Sequence, residues 1–172
     1  MFSPYSWGVT EGERTAGYPC DRHLTKPYRS LHRAVGVRAP APLTFRWLCQ
    51  LKTNAYSYGR MRTSSRALTT GADELAVGQR FLVFHLVEFE VGSHITGITS
   101  PEARRMYGEM AVTYRVVPQG DQASRLVVRL NMADARGLAR LRIPVLAAGD
   151  AVVMRKQLLT LKGLAERDAA AQ

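Results

Sequence analysis

Asp150 is the acid whose surroundings could give it chemistry. It stands four residues before Met154, beside an apolar helical stripe. A carboxylate partly buried there has a raised pKa unless it is paired, and could give or take a proton. It could equally be a helix acid favoured by the dipole, or half of an ion pair with an arginine. His85 and Glu88 stand three apart in one strand candidate, so they point to opposite faces. They cannot work as an acid/base pair without a bulge. His23, His32 and His94 show no HxH, HExxH or Cys/His ligand spacing, so no metal site is expected. Ser, His and Asp are present without a GxSxG elbow, and no P-loop or GxGxxG occurs, so no nucleotide or other cofactor is expected. Cys49 neighbours Trp47 on an apolar helix and reads as a buried, inert thiol.

The elements that must position these groups come from a chain of 172 residues, 46% hydrophobic and 22% charged. That length buries roughly two-thirds of the unfolded surface without a metal or disulfide. Two cysteines cannot make a disulfide framework. No apolar run reaches the roughly 18 residues of a membrane span, and the first residues have no apolar leader core. A soluble protein of a reducing compartment, the cytoplasm, is expected.

The net charge of +10 is concentrated. Between Asp21 and Asp73 there is no acid but ten bases: Arg22, Lys26, Arg29, Arg33, Arg38, Arg46, Lys52, Arg60, Arg62 and Arg66. Tyr28, Phe45, Trp47, Tyr56 and Tyr58 are interleaved with them. Cations with rings suit a nucleic-acid groove or an anionic surface. Against that, the bases are irregularly spaced, and no zinc-finger, RNP or KH pattern accompanies them. Nucleic acid is disfavoured as a partner.

Residues 1–27 are aperiodic, punctuated by Gly and Pro, and read as an irregular arm pinned by Phe2, Tyr5, Trp7 and Tyr18. Residues 28–38 read as the first strand. APAP follows at 39–42, then a short helix with Leu43, Trp47 and Leu51 at i, i+4, i+8. Residues 52–78 read as a long loop. Strands are expected at 81–91, 94–100, 109–118 and 124–132. In the last two, Met110, Val112, Tyr114 and Val116 share a face, as do Leu126, Val128, Leu130 and Met132. Arg115, Arg125 and Arg129 lie opposite, which predicts an antiparallel sheet with one wet side. Residues 144–168 read as a long helix with Ala147, Ala151, Met154, Leu158, Leu161 and Ala165 inward. Residues 28–168 are expected as one domain, and 169–172 as a disordered tail.

The junction VGVRAPAPLTFRWLCQL (35–51), the ELAVGQRF entry to the meander (74–81), VEFEVGSHI (87–95) and LLTLKGLAE (158–166) resemble the START, birch-pollen-allergen and polyketide-cyclase superfamily, SRPBCC. The resemblance spans roughly residues 30–168 and leaves out the arm. It implies an α+β helix-grip fold: a curved antiparallel sheet wrapped around a long C-terminal helix, with short helices after the first strand. It also implies a cavity between sheet and helix for an apolar ligand, and no shared catalytic residue.

Candidate walls of such a cavity are Trp47, Met110, Tyr114, Leu130, Met154 and Leu158, each of which could instead pack the core. Tyr56 and Tyr58 fall in a loop expected near the mouth, where they could bond a ligand or anchor the loop. The first functional expectation is binding of a small apolar or amphipathic molecule, for carriage or sensing. The second is a polyketide cyclase or dehydrase-like enzyme using two of Asp150, Tyr114 and His85. The third is a nucleic-acid or anionic-surface binder acting through residues 22–72. An open sheet also leaves edges for a homodimer.

Overall fold

The computed structural model describes residues 3, 5–53, 67–134 and 142–172. Tyr56, Tyr58, Arg60, Arg62 and Arg66 lie outside them. The described elements are β1 (Ser6–Trp7), α1 (Glu11–Thr15), β2 (Tyr28–Val37), α2 (Ala41–Cys49), β3 (Arg80–Phe81), β4 (Phe84–Glu90), β5 (His94–Thr99), α3 (Pro101–Tyr107), β6 (Met110–Pro118), β7 (Ser124–Ala133) and α4 (Arg142–Ala170). A 3-10 turn follows α1 at Pro19–Arg22.

Among the described residues seven strands form one open sheet in the order β1-β2-β7-β6-β5-β4-β3. Every pairing is antiparallel except β1 with β2. With α4 laid across its inner face, this is the helix-grip fold the sequence led us to expect. Leu31, Val35, Val112, Tyr114, Leu126 and Val128 pack from the sheet against Met154, Leu158 and Leu161 of α4. The six inward positions read from the period of α4 are all buried. Such burial contributes roughly 1.5–3 kcal/mol for each large apolar side chain.

The far end of α4 is tied down by polar contacts. Lys162 Nζ donates to Gly36 O at 2.8 Å, and the Arg38 amide donates to Glu166 Oε1 at 2.8 Å. Trp47 Nε1 donates to Asp168 Oδ2 at 3.0 Å. The helix α2 starts as expected, with Pro42 in its first turn, where a missing N–H is harmless.

Three sequence expectations are corrected. The strand expected over 81–91 is a hairpin: Leu82 takes φ 52°, and Phe81 pairs with Phe84 across the turn. Residues 101–107, given no element from the sequence, form α3, whose start is capped by Ser100 Oγ accepting from the Ala103 amide at 3.2 Å. The sheet's second face is also not simply wet. Residues 8–24 fold across it and bury Ala34, Ala111 and Val127 under Tyr18 and Cys20.

That cover is held by specific bonds. Cys20 N donates to Thr113 Oγ1 at 2.9 Å, and Asn131 Nδ2 donates to Asp21 Oδ1 at 2.8 Å. Arg125 holds both Glu13 carboxylate oxygens, at 2.5 and 2.9 Å, and reaches Gly8 O at 2.6 Å. The Arg115 and Arg129 guanidinium carbons stand 4.5 and 5.3 Å from the centre of the Tyr18 ring. Gly8 lets the chain pass over β2: it has φ +71°, and a Cβ there would sit 2.1 Å from Ala34 O.

Candidate functional site

The first turns of α4 carry small residues inward, Ala147 and Ala151, where later turns carry Met154, Leu158 and Leu161. Beside those first turns lies an apolar cavity of about 230 Å³. One flank of α4 lines it with Val145, Leu146, Gly149, Asp150 and Val153, a spacing of i, i+1, i+4, i+5, i+8 that keeps them on one side of the helix. Met110 at the start of β6, with Leu130 and Met132 of β7, forms the opposite wall. Val83 from the β3–β4 turn and Tyr107 from the end of α3 complete it.

Among the described lining residues Asp150 is the one carboxylate, set among aliphatic and thioether walls and the Tyr107 phenol. Its side chain is 11% exposed and meets Arg33, which is 1% exposed. Arg33 Nη2 donates to Asp150 Oδ2 at 3.3 Å, and Nη1 donates to His32 O at 2.9 Å. Arg33 comes from the inward face of β2, between Leu31 and Val35. Burial pushes the Asp150 carboxyl up to about 6, and the Arg33 charge only partly offsets that. Burial likewise lowers the Arg33 guanidinium below its ordinary value, with Asp150 opposing.

The sequence-derived site residues separate into groups. Met110, Leu130 and Asp150 line the cavity. Tyr114, Met154, Leu158 and Trp47 are not among its lining residues; they are fully buried in the hydrophobic core. Tyr114 donates its hydroxyl hydrogen to Gln157 Oε1 at 2.9 Å, with Met154 Sδ 3.4 Å away. His85 is a correction: it pairs with Ile98 on the outer face, while Phe84 and Leu86 point inward. A bulge between Leu86 and Glu88 puts Glu88 on that outer face too. There the Glu88 carboxylate is held by Arg22 at 2.5 Å and His23 at 3.1 Å, not by His85. Tyr56 and Tyr58 lie outside the described residues.

Sequence reasoning missed Arg33, Val83, Tyr107, Met132, Val145, Leu146, Gly149 and Val153. The signal for the α4 members was present: their spacing repeats beside the buried stripe. No short-range signal identifies Arg33, because its partner is 117 residues away.

Other reactive groups are quiet. Burial pushes the Cys49 thiol up to about 12 and the Cys20 thiol up to about 11. Among the described residues no group of three or more His, Cys, Asp or Glu could hold a metal. No described helix is long and apolar enough to cross a membrane. Several cations of the basic segment are engaged within the fold. Arg22 pairs with Glu88, Arg33 with Asp150, Arg38 with Glu166 and Arg46 with Asp73. Lys52 Nζ donates to the Gly71 and Glu74 carbonyls at 2.9 and 2.6 Å.

No family model and no curated protein matches the chain. Solved structures with the same fold do. The di-domain ARO/CYC protein BexL of the BE-7585A biosynthetic pathway superposes with a TM-score of 0.51 at 14% identity, over 80% of this chain and 46% of that one. DynU16, from the dynemicin biosynthetic locus, gives 0.50 at 16% identity, over 78% and 48%. A protein from Mesorhizobium loti gives 0.50 at 15% identity, over 81% and 98%. The chain thus spans about half the length of the two biosynthetic proteins. The likeness to these structures is one of fold.

Proposed function

We propose that this protein binds a small, largely apolar molecule in the cavity between the first turns of α4 and the β6–β7 end of the sheet. The observation that carries the reading is the cavity's wall: eight apolar residues and a phenol around one carboxylate. Small-molecule sites combine apolar walls with a few fixed polar groups in this way. The volume, about 230 Å³, exceeds the roughly 150 Å³ apolar cavity known to accept benzene. An occupant of one or two rings fits that size.

The likeness to an ARO/CYC protein and to a protein of a biosynthetic locus is compatible with an acid/base role for the same cavity. Of the three groups the sequence offered for such work, Asp150 alone faces it. The binding reading therefore needs fewer groups than the enzymatic one.

Naphthalene tests the proposal, by titration against the parent and against Gly149→Phe. A Cβ at Gly149 meets no atom within 4 Å, so the new ring has room to enter and fill the cavity. Saturable binding by the parent and its loss in a normally folded variant are expected. Equal binding by both, or by neither, would overturn the proposal.

A further inference from the structure

The carboxylate in the cavity wall is only half engaged. Arg33 occupies Asp150 Oδ2 from the β2 side, and among the described residues no hydrogen bond reaches Oδ1. The side chain is 11% exposed, so water reaches this oxygen poorly, and a ligand that brings a donor gives it a fixed hydrogen bond inside an apolar wall. Val83, Met110, Leu130, Met132 and Val153 around it cannot donate, and among the described residues the Tyr107 hydroxyl, the one donor in the wall, makes no hydrogen bond to Asp150.

Charge narrows the donor's class. Arg33 neutralises Asp150, so an entering ammonium would lose its hydration for little net attraction. An entering carboxylate would meet Oδ1 as acceptor against acceptor. A neutral O–H loses the least hydration and satisfies the open oxygen.

Resting on the cavity reading above, we infer that the ligand class is a neutral aromatic or alicyclic molecule of one or two rings bearing a hydroxyl that donates to Asp150 Oδ1. Asp150 then fixes orientation: the hydroxyl lies against α4, and the ring lies between Met110 and Met132.

The test compares naphthalene, 2-naphthol and 2-naphthoate at pH 7.5 by titration against the folded protein. 2-Naphthol should bind roughly tenfold more tightly than naphthalene, the worth of one hydrogen bond to a charged acceptor. 2-Naphthoate should bind more weakly than naphthalene. The double variant Arg33→Met/Asp150→Leu leaves no charge behind. Compared with its own affinity for naphthalene, whatever that becomes, it should show no preference for the hydroxyl. Asp150→Asn, which keeps a neutral acceptor, serves if the double variant does not fold, and should retain only part of the preference.

Equal binding of naphthol and naphthalene by the parent overturns the inference and leaves the cavity reading standing. So does a preference that survives in the double variant or is undiminished in Asp150→Asn. Failure of naphthalene and naphthol to bind at all overturns both.

Discussion

Replacing Arg33 by methionine removes a cation of similar length and leaves Asp150 in its apolar wall. The magnitude follows from the carboxyl's position. In the parent, burial pushes Asp150 up to about 6 in the folded protein from an ordinary 3.8. The folded state therefore holds a proton that the unfolded chain has released, and stability attributable to this group falls as pH rises from 3.8 to about 6. Above that the parent is flat. Among the described residues Arg33 is the charge that lowers the Asp150 value, so without it the folded value moves higher and the decline continues. Each pH unit between 6 and the variant's own folded value then costs up to about 1.4 kcal/mol relative to the parent. At pH 8 the variant should be up to about 3 kcal/mol less stable, within the range typical for breaking a buried pair. At pH 5 the carboxyl is protonated in both proteins, so the deficit should shrink to what the other lost Arg33 contacts, such as the bond to His32 O, leave. Urea denaturation at pH 5, 6, 7 and 8 measures this directly. The double variant Arg33→Met/Asp150→Leu should recover the loss at pH 8 and show no such pH dependence. A deficit in Arg33→Met that is the same at every pH would refute the reasoning, because it would come from packing and not from the stranded carboxylate.

Other substitutions test the elements that frame the cavity. Met154→Asp places a charge at a site 2% exposed between α4 and the sheet. It should unfold the protein or cost more than about 4 kcal/mol in denaturation. Gly97→Val should cost about 1–3 kcal/mol, because a Cβ there would lie 2.5 Å from the Phe81 ring and 2.9 Å from His85 O. Arg125→Ala removes three bonds that hold Glu13 and Gly8 over the sheet. Hydrogen exchange at residues 8–22 should accelerate, while α4 keeps its protection.

The parts legible in the sequence are those whose pattern repeats locally. Met154, Leu158 and Leu161 recur at helical spacing because one side of α4 meets the sheet along most of its length. Val112, Tyr114, Leu126 and Val128 alternate because β6 and β7 each turn one face to that helix. The cover over the second face was not legible as such. Its contacts join Glu13 to Arg125 and Cys20 to Thr113, 112 and 93 residues apart. One trace was available: Ala34, Ala111, Thr96 and Thr113 are short, as residues under a close-lying chain must be. Arg115, Arg125 and Arg129 on the same face read as a wet surface, yet their guanidinium groups hold the cover down.

The candidate site was read in part for the same reason. Asp150 stood out as an acid beside an apolar stripe, and an arginine partner was one of its alternatives. Which arginine could not be read, since only the fold brings β2 under the first turns of α4. Tyr114 and Trp47 looked like cavity walls because large aromatic residues serve both roles. Their polar ends reach Gln157 and Asp168 and so belong to the core. His85 was misplaced because the hairpin at Leu82 and the bulge after Leu86 change which residues of 81–91 share a face.

The cavity itself is tested most directly by methyl-resolved NMR of the full chain during a naphthalene titration. Saturable shifts should centre on Met110, Leu130, Met132, Val145, Leu146 and Val153. No shift at the solubility limit of naphthalene would contradict a ligand cavity at this place, as would shifts centred on the exposed Val152 and Leu159 of α4.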